Sequence, residues 1–243
     1  MTARLVGVLG GAGPGATAYF LQRLVARTEA RCDQEHIRTL AFNDTAIPDR
    51  TDFLLGRSAR SPLDALVEDG QLLAACGCDL LALPCNTAHS FFDELQCQVP
   101  VPVVHMVRET VERARALGVR RLGVLGTLGT VASRVYAAEA ERAGLECAYP
   151  GPATQHEISR IIFDEVKAGR PVDPTAFGRL TASLEALGCD AAVLACTELS
   201  LAFGQANENS TTAIPVIDAL DVLADAVIER TGHRRREEPC AVS

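Results

Sequence analysis

The second half of this chain repeats the first, and that constrains its fold more than any other feature. "RLVGVLGGAGPGATAYFLQRL" from Arg4 returns as "RRLGVLGTLGTVASRVYAAEA" from Arg120. "GCDLLALPCNTAH" from Gly77 returns as "GCDAAVLACTELS" from Gly188, and "VPVVHMV" from Val101 as "IPVIDAL" from Ile214. Three matched segments in the same order mean that the unit built by the first half is built again by the second. Cys85 and Cys196 fall at equivalent positions in the two copies.

Within each copy, apolar runs of strand length ("RLVGVLG", "IRTLAF", "DLLALP") alternate with segments of helical period such as "ATAYFLQRLVARTEA" and "LDALVEDGQLLAACG". That alternation predicts an α/β chain with short buried strands in parallel sheets. The expected architecture is two pseudosymmetric parallel-sheet α/β lobes facing each other across a cleft. Residues 1–105 form the first lobe, completed by a C-terminal helix over 218–232; residues 106–217 form the second, and 233–243 a solvated tail. Ligands of open α/β sheets gather at the carboxyl ends of the strands, which is where both cysteines stand.

The 243 residues are 48% hydrophobic, enough for a substantial core, yet no window nears the roughly 18 apolar residues of a membrane helix, and no secretory core is seen at the N-terminus. A soluble, cytoplasmic protein without a membrane partner is expected. Nine cysteines, an odd number lying mostly in apolar or helix-like segments, read as reduced thiols. The net charge of −8 argues against nucleic acid as a partner.

Two thiols on opposite sides of one cleft suit a particular reaction. Inverting a carbon acid next to a carboxylate needs a base on one face and an acid on the other, and a thiolate and a thiol can exchange those roles at each turnover. In "CNT" and "CTE", amides at a helix start, with Asn86, Thr87 and Thr197, are placed to bind a carboxylate and the charge that develops on it. Five other cysteines, Cys32, Cys76, Cys78, Cys147 and Cys189, read as core residues. "GGAGPGAT" from Gly10 follows a strand and precedes a helix, but its glycines do not fit G-x-G-x-x-G and no G-x-x-x-x-G-K-[ST] occurs, so a nucleotide is not expected. It reads as a tight turn whose amides, at Gly11, approach a small anion, with Pro14 starting the helix. His89, a helical turn past Cys85, reads as a helix-surface histidine; His105 mirrors Asp218 in the repeat. Neither has a second ligand at a metal-site spacing.

Together "GVLGGAGPGAT", "DQEHI" at Asp33, "IPDRT" at Ile47, "LPCNTAH" and "LACTEL" resemble the cofactor-independent aspartate racemases of the aspartate/glutamate racemase superfamily, in unbroken order from Leu5 to about Leu220. The resemblance implies a two-lobed fold, a homodimer, no pyridoxal phosphate or other cofactor, no metal, a small amino-acid substrate, and Cys85 and Cys196 as the acid/base pair. It puts Arg50 and Lys167 in the substrate site as the cations for a dicarboxylic amino acid, with Glu198 beside the second cysteine. Four departures qualify the substrate. Ala12 stands where aspartate racemases usually have methionine, and Phe163 where many have tyrosine. Glu198 replaces the histidine of glutamate racemases, and Gly10 their aspartate. The last two argue against glutamate racemase. The first two leave substrate specificity within the aspartate-like branch open. The alternative readings are a broad-specificity or glutamate-type racemase, another cysteine-dependent isomerase of small diacids, or a non-catalytic dicarboxylate-binding module.

Overall fold

Each copy of the repeat folds into a four-stranded parallel sheet, and the two sheets share one connectivity. The computed structural model describes residues 4–206 and 211–236. In the first copy β1 (Leu5–Gly10), β2 (Arg38–Asn43), β3 (Leu80–Ala82) and β4 (Val103–Val104) lie in the order β2-β1-β3-β4. In the second, β5 (Arg121–Gly126), β6 (Glu146–Ala148), β7 (Ala191–Ala195) and β8 (Val216–Asp218) lie in the order β6-β5-β7-β8. Every strand pairing in both sheets is parallel. The duplicated segments are therefore the three strands β1, β3 and β4 and their counterparts β5, β7 and β8.

The repeated "GCD" shows how sequence sets this register. Gly77 and Gly188 adopt φ of +88° and +75°, the left-handed turn that ends the preceding helix. The cysteine then packs inward, Cys78 lying so close to Gly7 that a Cβ there would stand 3.1 Å from its sulfur. The aspartate locks the strand start: Asp79 Oδ2 accepts from the Leu5 amide at 3.0 Å, and Asp190 Oδ2 from the Arg121 amide at 2.8 Å.

Strand residues of alternate parity face different cores. Val6, Val8 and Leu80 of one sheet and Leu122, Val124 and Val193 of the other meet in a single cluster between the lobes. The opposite parity, Leu9 and Leu81, packs under α3 (Leu63–Ala75) and α4 (Phe92–Gln98); Leu125 and Leu194 pack under α8 (Pro152–Ser159) and α9 (Ala176–Glu185). The central cluster also takes in α1 (Pro14–Arg27), α5 (Met106–Ala116), α7 (Val135–Ala143) and the last helix, α11 (Ala219–Arg230), through Leu220, Leu223 and Val227. Arg23 and Arg27 of α1 reach across to Asp221 and Asp225 of α11 at 2.6 and 2.7 Å.

Two expectations need correction. The strand "IRTLAF" is not buried: β2 is an edge strand paired only with β1, and all six of its residues are exposed. Cys32 and Cys76 are also exposed, because one precedes a short 3-10 turn and the other ends α3 on the solvent side; Cys78 and Cys189 are buried and Cys147 half-buried. At the start of the expected solvated tail, Arg234, Arg235 and Arg236 are exposed, and two backbone hydrogen bonds tie this stretch to the end of α1: Glu29 donates to the Arg234 carbonyl and Arg236 to that of Arg27. Residues 237–243 lie outside the described residues. No helix among the described residues is long and apolar enough to cross a membrane.

Candidate active site

β3 and β7 deliver their cysteines to the same place. Cys85 lies just past Pro84 at the end of β3, and Cys196 sits between β7 and α10 (Thr197–Ala206). Both line one cavity between the lobes, together with Arg50, Asn86, Lys167 and Glu198. Its volume is about 20 Å³, room for roughly one water.

The two thiols differ in their surroundings. Cys196 is 5% exposed, and its Sγ donates to Glu198 Oε2 at 3.0 Å. Burial, followed by the charge and hydrogen bond of Glu198, pushes its thiol well above the ordinary cysteine range, so the neutral form is favoured. Thr197 Oγ1 donates to the same carboxylate oxygen at 3.3 Å, and Lys167 Nζ lies 3.6 Å from the other. Thr197, Glu198 and Lys167 thus form a cluster around the Cys196 thiol. Cys85 is half-buried, and among the described residues no carboxylate accepts from its sulfur.

Donors converge on the cavity from several elements. Asn86 is buried, and its Oδ1 accepts from the Tyr136 hydroxyl of α7 at 2.6 Å; its Nδ2 has no partner, the state of a donor waiting for an acceptor. Arg50, the first residue of α2 (Arg50–Leu54), is 7% exposed. Its Nη1 donates to the Ile47 and Pro48 carbonyls and its Nη2 to that of Ala12, while Nε is unpartnered. Of five N–H groups, two remain, one on Nε and one on Nη2, the pair of nitrogens through which a guanidinium can pair side-on with a carboxylate. Among the described residues no carboxylate neutralises it.

Lys167 is positioned by an unusual helix. Residues Arg160–Val166 form a π-helix, and the Lys167 amide donates to Ile162, five residues back, at 3.1 Å. Nζ also stands 5.1 Å over the ring of Phe163, which lines the same cavity.

Thr87 does not present its hydroxyl as a free donor. Its Oγ1 is 3.0 Å from that of Thr127 and 2.9 Å from that of Thr130, in a buried hydroxyl cluster joining the lobes. Gly11 is also engaged otherwise. Its amide donates to Thr17 Oγ1 at 3.1 Å, and its φ of +98° lets it lie where a Cβ would be 1.9 Å from the Asp44 carbonyl oxygen. It lines a larger chamber of about 460 Å³, which adjoins the first across Ala12, Asp49, Arg50, Lys167 and Glu198. Thr127, Asp49 and Tyr136 are site residues that the sequence reading missed. Thr127 was accessible from the repeat, since it follows "GVLG" as Gly11 does; Asp49 lies within "IPDRT" and Tyr136 within the repeated segment from Arg120.

His89 corrects a further expectation. It is 2% exposed, not on a helix surface, because the segment Thr87–Phe91 is a 3-10 turn tucked beneath the junction of β4 and α5. His105 caps α5, its Nδ1 accepting from the Arg108 amide, as its repeat partner Asp218 caps α11.

Comparisons with known proteins agree with this fold. The chain is 25% identical over 238 residues to the broad specificity amino-acid racemase RacX of Bacillus subtilis (strain 168), covering 92% of this chain and 96% of that protein. The structure of Picrophilus torridus aspartate racemase matches with a TM-score of 0.78 at 29% identity, over 96% of each chain. Glutamate racemase from Francisella tularensis subsp. tularensis SCHU S4, solved with D-glutamate, shares the fold at a TM-score of 0.66 and 15% identity, over 98% of this chain and 86% of that one. The sequence profile of Asp/Glu/Hydantoin racemases matches residues 9–227, and the chain accordingly belongs to that family of isomerases.

Proposed function

We propose that this protein is a racemase that interconverts L- and D-aspartate, or a close acidic relative, without pyridoxal phosphate, by proton transfer between Cys85 and Cys196. The reading rests on one observation: two cysteines from equivalent strand ends of a duplicated chain line a single cavity. Cys196, held as a thiol by burial and Glu198, is the acid of the resting site. Cys85, with no carboxylate on its sulfur, is the base. As Cys85 takes the α-proton on one face, Cys196 gives its proton to the other, so after one turnover Cys85 is the thiol and Cys196 the thiolate, and the roles are reversed. The unpartnered Asn86 amide suits the α-carboxylate and the charge that builds on it, and the free edge of Arg50 suits a distal carboxylate.

The larger chamber supports a second reading, broad specificity, as in the name of the Bacillus subtilis relative. Side chains longer than that of aspartate have room there beyond Ala12.

Incubation with L-aspartate in deuterium oxide, without added cofactor, is expected to give both α-deuterium incorporation and D-aspartate; a panel of other amino acids separates the two readings. Cys85→Ala and Cys196→Ala are each expected to abolish racemisation. Undiminished turnover in either variant would exclude the two-thiol mechanism, and inertness of the wild type toward the whole panel would leave a binding module as the better description.

A further inference from the structure

The repeat places His89 and Ser200 at corresponding sites, each four residues past its cysteine, and the two copies solve one structural problem differently. In the second lobe the Ser200 amide donates to the Cys196 carbonyl at 3.2 Å, an ordinary helical bond, while its hydroxyl donates to Asp218 Oδ1 at 2.6 Å and ties α10 to the start of α11. In the first lobe the 3-10 turn draws the His89 amide onto Asn86, at 3.1 Å, one residue short of Cys85. The side chain makes the bond instead: His89 Nδ1 is 2.9 Å from the Cys85 carbonyl.

The other ring nitrogen fixes the proton. Met106 donates its amide to Nε2 at 3.0 Å, so Nε2 is bare and Nδ1 carries the hydrogen that goes to Cys85. The Val104 carbonyl lies 3.4 Å from Nε2, a longer contact that the bare tautomer leaves as packing. Burial favours this neutral ring, and Phe92 stacks on it at 5.9 Å between centroids and an interplanar angle of 9°. One imidazole therefore links the backbone of Cys85 to the first residue of α5.

We propose that His89 is a positioning residue for Cys85, holding the peptide that carries the thiol so that its sulfur meets the substrate α-carbon, a task done in the other lobe by the helix backbone. The inference rests on Cys85 being an acid/base group. Proton transfer is sensitive to placement, and a shift of about 1 Å costs up to about 100-fold in rate.

Two polar variants separate the two hydrogen bonds. Asn at this position keeps a donor near the place of Nδ1 and loses the link to Met106; Gln reaches the place of Nε2 and loses the bond to Cys85. His89→Asn is expected to keep kcat within about threefold of wild type, and His89→Gln to lower it roughly 10- to 100-fold with KM little changed. In His89→Gln the α-deuterium isotope effects on the two enantiomers should diverge. The effect rises for the enantiomer that gives its proton to Cys85 and falls for the one reprotonated by it. General loosening of the fold would move both the same way. The inference is overturned if Gln is tolerated and Asn is not, or if the isotope effects stay matched. Cys85→Ala in parallel keeps the readings apart: if it is dead while His89→Gln is fully active, only the role of His89 falls, whereas an active Cys85→Ala removes the two-thiol reading itself.

Discussion

Cys196 and Glu198 show how two neighbouring residues set the protonation of a site. The carboxylate raises the thiol's pKa because a thiolate beside it would be a second negative charge in a buried place. Glu198→Gln removes that repulsion and the charged acceptor, so the Cys196 thiol is expected to titrate at lower pH, as read from carbon-13 shifts of labelled cysteines. Turnover should nevertheless fall, by up to about 100-fold, because the charged acceptor that orients the Cys196 S–H is lost. An unchanged titration would separate Glu198 from the thiol, and unchanged turnover would remove it from the reaction. Sequence made the cysteines legible because their surroundings are duplicated. It did not reveal that Glu198 turns back onto the sulfur two residues earlier, since that depends on how β7 passes into α10. His89 was misread for a related reason: its spacing from Cys85 suits a helix face, but a 3-10 turn aims it inward.

Among the elements, the parallel strands and the start of α1 at Pro14 were readable from hydrophobic runs and turn chemistry. The π-helix that carries Lys167 was not, because one extra residue in a helical turn leaves no mark on periodicity. The exposure of β2 was missed because its composition is that of a buried strand. Helix α3 also carries an internal conflict, Asp69, which is 6% exposed with an unpartnered Oδ2. Burial, with Asp44 and Glu68 nearby, raises its pKa to about 6. A folded-state value above the unfolded one means that the folded protein holds this proton more tightly. Stability from this group is therefore present below about pH 4 and lost as pH rises through about 6. Asp69→Asn is expected to stabilise the protein by about 1–3 kcal/mol near neutral pH and by almost nothing near pH 4, measured by denaturant unfolding at both. The same gain at both pH values would mean that the charge of Asp69 is not the cause.

At the scale of the whole molecule, two lobes were predictable from the repeat, but the core between them was not: alternation shows that both faces of a strand are covered without saying what covers them. That shared core limits how the site can open. The cavity that the two thiols line, about 20 Å³, adjoins the chamber of about 460 Å³, and the central cluster joining both sheets and α11 holds the lobes together. Beside that cavity the lobes also meet at the threonine cluster of Thr51, Thr87, Thr127 and Thr130. α6 (Leu128–Ser133) fits against it through Gly129, where a Cβ would lie 2.8 Å from Thr51 Oγ1 and 2.9 Å from its Cα. Backbone cannot rotate away as a side chain can, so Gly129→Ala forces the lobes apart at this point. The expected cost is about 1–3 kcal/mol of stability, with KM raised about tenfold, since each binding event must then close a strained contact. Thermal unfolding and steady-state kinetics on the same preparation test both. A variant with lower stability but unchanged KM would mean that the threonine surface holds the lobes together without taking part in closure.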